Sequence, residues 1–367
     1  MLWATSLLSR KLTPHLRPAL SLASGRACRR AHFIPLATTP VTMSTLSTAT
    51  ASSRDLFIDI GANLTDSMYR GEYHGKSDVH PPDIDAVLDR AWSAGLDRII
   101  LTAGTLEEAK SALQLCSRDD RLYCTVGVHP TRCGAFDAHP DGPDAYLQDL
   151  QTLALSGKAR GKVVAIGECG LDYARTQFCD VETQKKYFAV QFALSKATGL
   201  PMFLHLRDAA DDFVSILSKH VAAGDLPGGG VVHSFDGDAK CLTQILANPS
   251  LSIGLNGCSL RTEENIAVAK MIPRDRVLLE TDCPWCDVRS THAGYAYVRK
   301  EHQLPTKDKK KYQADHLVKG RNEPVNILHV FDVVCGVWGV GEEETARSEV
   351  ARQIHANTMR MFWPNVA

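Results

Sequence analysis

Two histidines and two carboxylates in this sequence each stand at the end of a short apolar run. Glu168 closes VVAIGE, His205 lies near the end of PMFLHL, His233 lies within GVVHSF, and Asp282 closes VLLETD. An ionised side chain is costly to bury unless an opposite charge or hydrogen bonds compensate it. Imidazole nitrogens and carboxylate oxygens are the ligands that Mg²⁺, Mn²⁺ and Zn²⁺ use in proteins, so these four residues are candidate ligands of a divalent cation.

The four runs belong to a longer series of short apolar segments that alternate with amphipathic stretches. Ile84, Val87, Leu88 and Ala91 show the helical spacing between two such segments. The candidate strands cover residues 56–60, 98–103, 122–128, 163–168, 201–206, 230–235, 251–256 and 277–282. Eight alternating strands and helices predict an α/β fold of the TIM (β/α)₈ barrel type, whose functional residues lie at the carboxyl ends of the strands. Residues 323–363 are predicted to form two extra helices packed outside the barrel.

Side-chain alternation along a strand predicts which residues point into the barrel. Val164, Ile166 and Glu168 are expected to share one face of the fourth predicted strand, because neighbouring side chains point to opposite faces. The other three candidate ligands obey the same alternation within their own strands. All four candidate ligands are therefore expected to point inward at the same rim.

Composition limits the classes of protein that fit. The 367 residues contain 41 basic and 42 acidic side chains, so a polyanion would have to bind to local patches of positive charge. The 11 cysteines are scattered and predict reduced thiols of an intracellular protein, not a disulfide framework. No apolar run is long enough to span a bilayer, which predicts a protein without a membrane anchor.

The first 54 residues differ from the rest. They contain Lys11 and arginines at 10, 17, 26, 29, 30 and 54, with no acidic residue before Asp55. This bias predicts a transit peptide for a mitochondrion or a chloroplast. A disordered basic tail, or translation from Met43, is the alternative, and would leave the protein in the cytoplasm or nucleus. The predicted organisation is thus a leader over 1–54 and a single barrel over 55–367.

Several motifs resemble those of a known family. IGECGLDY, PMFLHLRDAADD, VVHSFDG and LLETDCPW, followed by RNEP at 321–324, are similar to the TatD-type metal-dependent deoxyribonucleases. GCSLRTE and STHAG at 290–294 resemble the eukaryotic TatD-domain branch. The resemblance covers about residues 56–364 and implies a TIM barrel that hydrolyses DNA phosphodiester bonds with a divalent metal, in an exonuclease-like manner. DNA catabolism and repair are the settings it implies.

One motif departs from that family. Many relatives carry a His-x-His pair at the end of the first strand, where this chain has Gly61 and Asn63. Glycine has no side-chain ligand, whereas Asn63 could offer a carbonyl oxygen, which suits a hard cation such as Mg²⁺. The resemblance therefore carries over four ligands and predicts one or two cations per chain, with Mg²⁺ first and Mn²⁺ or Zn²⁺ as alternatives.

The resemblance also suggests roles for individual side chains. Glu168 and Asp282 are the predicted catalytic residues: Glu168 would contact both cations, and Asp282 would hold the second cation and accept a proton from the attacking water. His205 and His233 would hold one cation.

Further residues are predicted to contact the substrate or support the site. Arg207 and His129 are candidate phosphate contacts, and Asp172 is a candidate partner of a ligand, although each could instead form a structural ion pair or cap a loop. The basic segment 299–321 is predicted to reach the rim and contact phosphates, or else to be a solvated loop.

Two other functions remain open at this level. The same barrel could be a small-molecule amidohydrolase, although that class commonly uses the missing histidine pair and a metal-bridging lysine. It could also be a nucleic-acid-binding scaffold without activity. Cys283 and Cys286 form a C-x-x-C pattern that is predicted to be structural, because it does not open a helix in a thioredoxin-like unit.

Overall fold

Eight parallel strands surround the centre of the protein in this computed structural model, which describes residues 55–366. They are β1 Phe57–Ala62, β2 Leu96–Leu101, β3 Leu122–Val126, β4 Val163–Asp172, β5 Met202–Arg207, β6 Gly230–Val232, β7 Leu251–Leu255 and β8 Val277–Leu279. Each strand pairs with the next in sequence order. A parallel bridge between Ala62 and Cys283 brings the segment after β8 back to β1. The predicted (β/α)₈ barrel is confirmed, while the predicted leader lies outside the described residues.

Helices follow the strands and cover the outside of the barrel. They are α1 Ile84–Ser93, α2 Leu106–Cys116, α3 Gly134–Asp137, α4 Pro143–Ala159, α5 Val181–Thr198, α6 Ala210–Ala222, α7 Ala239–Leu246, α8 Glu263–Lys270, α9 Ile327–Val337 and α10 Glu344–Phe362. Local sequence sets several of their ends, because Thr105, Asp180 and Thr262 accept backbone hydrogen bonds at the starts of α2, α5 and α8. Between residues 55 and 366, none of the helices combines the length and apolar character needed to cross a bilayer.

The barrel interior is closed at the end opposite the carboxyl ends of the strands. An inner apolar cluster combines strand residues such as Ile58, Phe203 and Leu278 with Phe362 and Trp363. Trp363 also packs edge-to-face on the ring of Tyr123 near the start of β3, with ring centroids 4.7 Å apart. The two predicted C-terminal helices are present, but the end of α10 closes the barrel floor and is not merely an outer layer.

Strand β4 does not follow simple alternation. Val164 and Ala165 both join the inner cluster, whereas Ile166 joins the outer one, so the prediction that Ile166 faces inward is wrong. The register with β3 skips one residue after the pair Cys124 and Val163. The register with β5 takes up another extra residue between Ile166 and Cys169, and Glu168 lies within that irregularity. The two irregularities return Glu168 to the cavity side.

Strands β6 and β8 end earlier than predicted. The regular strands end at Val232 and Leu279, so His233 and Asp282 lie in the segments immediately after them, where their backbone N–H groups still donate to the carbonyl oxygens of Leu204 and Gly61. Ser234 and Asp282 have φ of 49° and 50°, which is the left-handed region that side chains other than glycine adopt uncommonly. The chain thus turns sharply at both places, and the side chains of His233 and Asp282 still reach the cavity.

Candidate metal centre and active site

A cavity of about 440 Å³ opens at the carboxyl ends of the strands. The four predicted metal ligands Glu168, His205, His233 and Asp282 all line it. Three other predicted site residues, Asn63, His129 and Arg207, also line it. Residues from at least six separate strand ends therefore meet in one place, as the barrel topology requires.

Three ligand atoms converge at the bottom of this cavity. The Oε1 atom of Glu168 lies 2.7 Å from Nδ1 of His205 and 2.8 Å from Nε2 of His233. The two ring nitrogens are 3.1 Å apart. His129 approaches the same oxygen, with its Nε2 atom 3.5 Å away. Glu168, His205 and His233 thus form a group in which each residue offers one ligand atom within 4.8 Å of the others.

Close backbone packing holds Glu168 at this point. Its N–H donates to the carbonyl oxygen of Ala103 after β2, at 2.9 Å. Gly127 after β3 packs against Gly167, since a Cβ atom on Gly127 would lie 2.5 Å from the Gly167 Cα atom. Gly167 itself has φ of 143°, a value that favours glycine. The Gly-Glu step at the end of the apolar run therefore permits the approach that places the carboxylate.

The buried carboxylate of Glu168 needs positive charge close to it. Burial alone would raise the pKa of Glu168, but the charge of His233, the nearby His129 ring and hydrogen bonds from His205 and His233 hold this pKa well below its usual range. Burial acts to lower the pKa of His233, yet the charges of Glu168 and Glu280 raise it well above its usual value. Protonated imidazole thus compensates the buried carboxylate within the protein itself, and a divalent cation would supply the same compensation.

The donor set fits a metal ion. Two imidazole nitrogens, which lose their protons when they bind a metal, converge with a carboxylate oxygen on one point and match the ligand chemistry of divalent cations with mixed nitrogen and oxygen preference. A hydrogen-bond explanation alone is poorer, because it would bring two N–H donors, His205 Nδ1 and His233 Nε2, to within 3.1 Å of each other. Glu168, His205 and His233 would hold the ion, with Asp282 across the same cavity.

Asp172 supports the other side of the His205 ring. Its Oδ2 atom lies 3.5 Å from Nε2 of His205. Within the described residues, neither oxygen of this buried carboxylate has a hydrogen-bond partner, and neither does His205 Nε2. Burial lowers the pKa of His205, but the contacts with Asp172 and Glu168 outweigh burial and raise it. This placement agrees with the predicted role of Asp172 as a partner of a ligand.

His129 lies beside the Glu168 cluster, and its contact with a phosphate stays a prediction. Its Nδ1 atom faces Oγ1 of Thr131 at 2.7 Å, and its other nitrogen faces Glu168. Burial lowers the pKa of His129 to about 4, so the ring is neutral at neutral pH. His129 also forms a second group of potential ligands with Asp172 and His205. A neutral ring directed at the cluster is better suited to binding a cation than to pairing with a phosphate.

Asp282 lies in the cavity but outside the three-residue cluster. Its Oδ1 atom accepts a hydrogen bond from Nδ2 of Asn63 at 2.9 Å. Its Oδ2 atom accepts one from the Cys286 thiol at 3.2 Å. Burial raises the pKa of Asp282 to about 6, although the positive charge of His233 acts to lower it. Asp282 is therefore largely ionised at neutral pH and is oriented by two donors.

Asn63 does not act as the oxygen ligand that the sequence suggested. Its side-chain carbonyl oxygen accepts a hydrogen bond from Thr102 Oγ1 at 2.5 Å, while its amide group donates to Asp282. Both ends of the side chain are thereby engaged. The interpretation of Asn63 as a metal ligand is corrected to that of a positioning partner of Asp282.

Glu280 is a buried residue of the site that the sequence analysis did not assign. Its carboxylate accepts a hydrogen bond from the Ser234 N–H and lies 3.3 Å from Nδ1 of His233. A Cβ atom on Gly61 would lie only 2.6 Å from Glu280 Oε2. Glu280 therefore occupies the space beside the missing first-strand histidine. Its alternation with Asp282 along VLLETD was the available signal.

Three arginines at the rim were also missed. Arg132, Arg175 and Arg261 line the cavity together with Arg207, and the indole of Trp285, which is 50% exposed, stands beside them. The three missed arginines come from the loops after β3, β4 and β7, and Arg207 ends β5, so no run of basic residues marks them in the sequence.

The basic segment 299–321 does not line this cavity. It contains the two-residue strands β9 Thr306–Lys307 and β10 Leu317–Val318. Lys309 packs over the ring of Tyr73, and Tyr312 stacks on His80 with ring centroids 4.9 Å apart. The predicted phosphate-binding role has no support from this placement, since none of these 23 residues contributes to the cavity wall.

A second buried carboxyl next to the site predicts a pH effect on stability. Asp59 of β1 accepts hydrogen bonds from the backbone N–H groups of Gly61 and Thr281 and from the Thr281 hydroxyl. Burial raises its pKa from 3.8 to about 8, although the Thr281 bonds oppose this. Between these two values the folded protein keeps a proton that the unfolded chain has lost. This group should therefore lower the free energy of unfolding as pH rises through that window.

Asp59→Asn should remove this decline, because an amide stays neutral and can donate to Thr281 Oγ1. Urea unfolding midpoints at about pH 5 and about pH 8 measure the effect. The matched control is Asp89→Asn, which changes an exposed aspartate of α1. Equal pH dependence in the wild type and Asp59→Asn would contradict the prediction.

The barrel and its convergent histidine and carboxylate side chains define a metal-dependent barrel hydrolase. Residues 58–363 match the protein family described as TatD related DNase. Deoxyribonuclease Tat-D of Schizosaccharomyces pombe is 40% identical over 306 residues, which cover 83% of this chain and 95% of that protein. The chain belongs to the TatD related DNase family.

Two further comparisons agree. The crystal structure of a TatD family hydrolase from Entamoeba histolytica has a TM-score of 0.75 and 38% identity, and covers 84% of this chain and 98% of that one. A protein of Enterobacter lignolyticus named 3'-5' ssDNA/RNA exonuclease TatD is 35% identical over 230 residues, covering 62% of this chain and 78% of that protein.

Proposed function

We propose that this protein is a divalent-metal-dependent deoxyribonuclease that removes nucleotides from the end of a single DNA strand. The observation that carries the proposal is the convergence of Glu168, His205 and His233 in the cavity of a TatD-family barrel. The relatives named deoxyribonuclease Tat-D and 3'-5' ssDNA/RNA exonuclease TatD support the substrate class. A small-molecule amidohydrolase is not favoured, because Gly61 and Asn63 replace the first-strand histidine pair and four arginines surround the cavity.

A bound cation would neutralise charge on the phosphate oxygens and lower the pKa of a water molecule next to it. Glu168, His205 and His233 would hold this ion, and His129 faces the same carboxylate oxygen. Asp172 keeps the His205 ring oriented. The carboxylate oxygen suits Mg²⁺ and Mn²⁺, and the two imidazole nitrogens suit Zn²⁺. We propose one of these three ions as the working ion, and adding each back to the chelated protein identifies it.

Asp282 acts as the general base. A base must be ionised at the working pH and still be able to take up a proton, which a pKa of about 6 allows near neutrality. Asn63 and Cys286 each donate to one oxygen of the carboxylate and so fix its plane. The carboxylate is then held toward the cavity, where it can accept the proton of the attacking water.

The rim supplies the substrate contacts. Arg132, Arg175, Arg207 and Arg261 present positive charge around the opening, where they can pair with successive phosphates. The cavity volume of about 440 Å³ is in the range of pockets for small ligands. Such a cavity admits one nucleotide unit at a strand end more readily than a duplex, which supports exonuclease action on single strands.

Trp285 provides a surface on which a base can stack. Trp285→Ala should raise the KM for single-stranded DNA about tenfold, because loss of one stacked base removes about 1 to 3 kcal/mol. Steady-state kinetics on an oligonucleotide measure it. Phe178→Ala is the matched control, since Phe178 is an exposed aromatic residue that does not line the cavity. An equal change in KM for both variants would argue against stacking at Trp285.

A substrate panel tests the function as a whole. Single-stranded DNA, duplex DNA, RNA and a carboxylic ester should be incubated with the protein, each with and without a chelator, and with Mg²⁺, Mn²⁺ or Zn²⁺ added back. Chelator-sensitive release of mononucleotides from single-stranded DNA is the expected result. Labels at either end of the strand give the polarity. Hydrolysis of the ester alone would favour the amidohydrolase, and binding of DNA without cleavage would favour a scaffold.

A further inference from the structure

Two cysteines at the mouth of the cavity differ from the other cysteines in the part of the chain that the structure describes. Within residues 55–366 there are ten cysteines, all unpaired as disulfides, and eight of them are buried. The two that are partly exposed, Cys258 and Cys286, both line the cavity. Their Sγ atoms are only 2.8 Å apart, with the Cys258 thiol donating to the Cys286 sulfur. The two accessible thiols are therefore also in contact with each other.

The backbone around this pair holds the two thiols together. Cys258 follows β7, and its N–H donates to Oδ1 of Asn256 at 2.9 Å. The N–H of Gly257 donates to the carbonyl oxygen of Cys286 at 3.0 Å, which ties the loop after β7 to the loop after β8. A Cβ atom on Gly257 would lie 2.3 Å from that oxygen, so glycine permits this approach. The sulfur atoms need to move closer by only about 0.8 Å to reach disulfide bonding distance.

We propose that Cys258 and Cys286 form a reversible disulfide with a low-molecular-weight disulfide such as glutathione disulfide as the oxidant. One cysteine thiolate attacks the glutathione disulfide, forms a mixed disulfide and releases one glutathione thiolate. The second cysteine attacks the protein sulfur of the mixed disulfide and releases the other glutathione. The S–S bond of the oxidant is broken and one is formed in the protein, while the two thiol protons end on the two glutathione molecules.

The disulfide changes the contacts of the proposed general base, and this consequence rests on the proposed function. In the reduced protein the Cys286 thiol donates to Oδ2 of Asp282 at 3.2 Å. A disulfide sulfur carries no hydrogen, so oxidation removes one of the two donors that orient Asp282. Cys286 acts here as a positioning residue. Loss of such a contact to a side chain of a metal centre commonly lowers activity by about 10- to 100-fold.

Peptide mapping tests the modification without reference to activity. The full-length protein is incubated with glutathione disulfide, remaining thiols are alkylated, and the digest is analysed by mass spectrometry before and after reduction. A cross-linked peptide pair joining Cys258 to Cys286, lost on reduction, is the expected result. Alkylation of both residues as free thiols after oxidation, or bridging of either one to a different cysteine, would overturn the proposal.

Activity measurements test the consequence. For each protein, the rate on single-stranded DNA after oxidation is divided by the rate after reduction, so that the direct effect of a substitution cancels. The ratio should be about 0.01 to 0.1 for the wild type and for Cys241→Ala, which changes a buried cysteine of α7, and should be close to 1 for Cys258→Ser and Cys286→Ser. A wild-type ratio of about 1 with the bridge present would overturn the link to Asp282. Bridge formation in a protein that cleaves no substrate would refute the proposed nuclease function and leave the thiol site standing.

Discussion

Glu168→Gln is expected to lower kcat on single-stranded DNA by at least about a thousandfold, because one carboxylate oxygen serves as the common partner of two histidines. Gln keeps the size of the side chain but lacks the charge that His205 and His233 surround. Cation affinity should fall at the same time, which titration calorimetry with Mn²⁺ measures directly. The variant therefore separates the effect of the Glu168 charge from the effect of the volume of its side chain.

The control for this variant is Glu182→Gln. Glu182 lies at the start of α5 on the surface and pairs only with Lys185 at 3.2 Å among the described residues. The Glu182→Gln variant should have a kcat and a cation affinity close to those of the wild type. Metal-dependent cleavage by Glu168→Gln within about tenfold of the wild type would contradict the assignment of Glu168 to the metal centre.

Asp282→Asn is expected to lower kcat by about 100- to 10,000-fold, the range in which a general base contributes. The amide keeps the shape of the side chain but cannot accept a proton from water. The wild-type rate should fall as pH drops below about 6, since protonated Asp282 cannot act as a base. The residual activity of the variant should lack this decline, and a pH profile of kcat tests it.

The same substitution should make the metal-free protein more stable. Burial raises the pKa of Asp282 from 3.8 to about 6, so ionisation favours the unfolded chain and stability decreases as pH rises through that window. A neutral Asn avoids this penalty, and the urea midpoint near pH 8 should therefore increase. Asp275→Asn, an exposed position before β8, should change neither rate nor midpoint. A variant that is both less active and less stable would indicate misfolding instead of loss of a base.

The sequence was sufficient to predict the barrel because each strand is a distinct apolar run. It could not predict the irregularities of β4, since a run that is apolar throughout carries no alternation to show where Ile166 leaves the inner face. It also placed His233 and Asp282 on strands, although the regular strands end before both residues. An apolar run therefore shows where a strand lies more clearly than where its regular geometry ends.

The candidate site was predictable only in part. Glu168, His205 and His233 were found because a polar residue at the end of a buried run is conspicuous. The hydrogen bond that engages the Asn63 carbonyl oxygen depends on Thr102, which is 39 positions away. The contacts that draw the basic segment 299–321 away from the cavity depend on Tyr73 and His80. Such pairings follow from tertiary packing and leave no local pattern.

The floor of the barrel bears on how this chain must be synthesised. Phe362 and Trp363 fill the interior from below, yet the ribosome translates them after all eight strands. A nascent chain that has already paired its strands would still expose Ile58 and Leu278 to water through the open end. Chaperones would therefore find an apolar surface to bind until α10 leaves the exit tunnel.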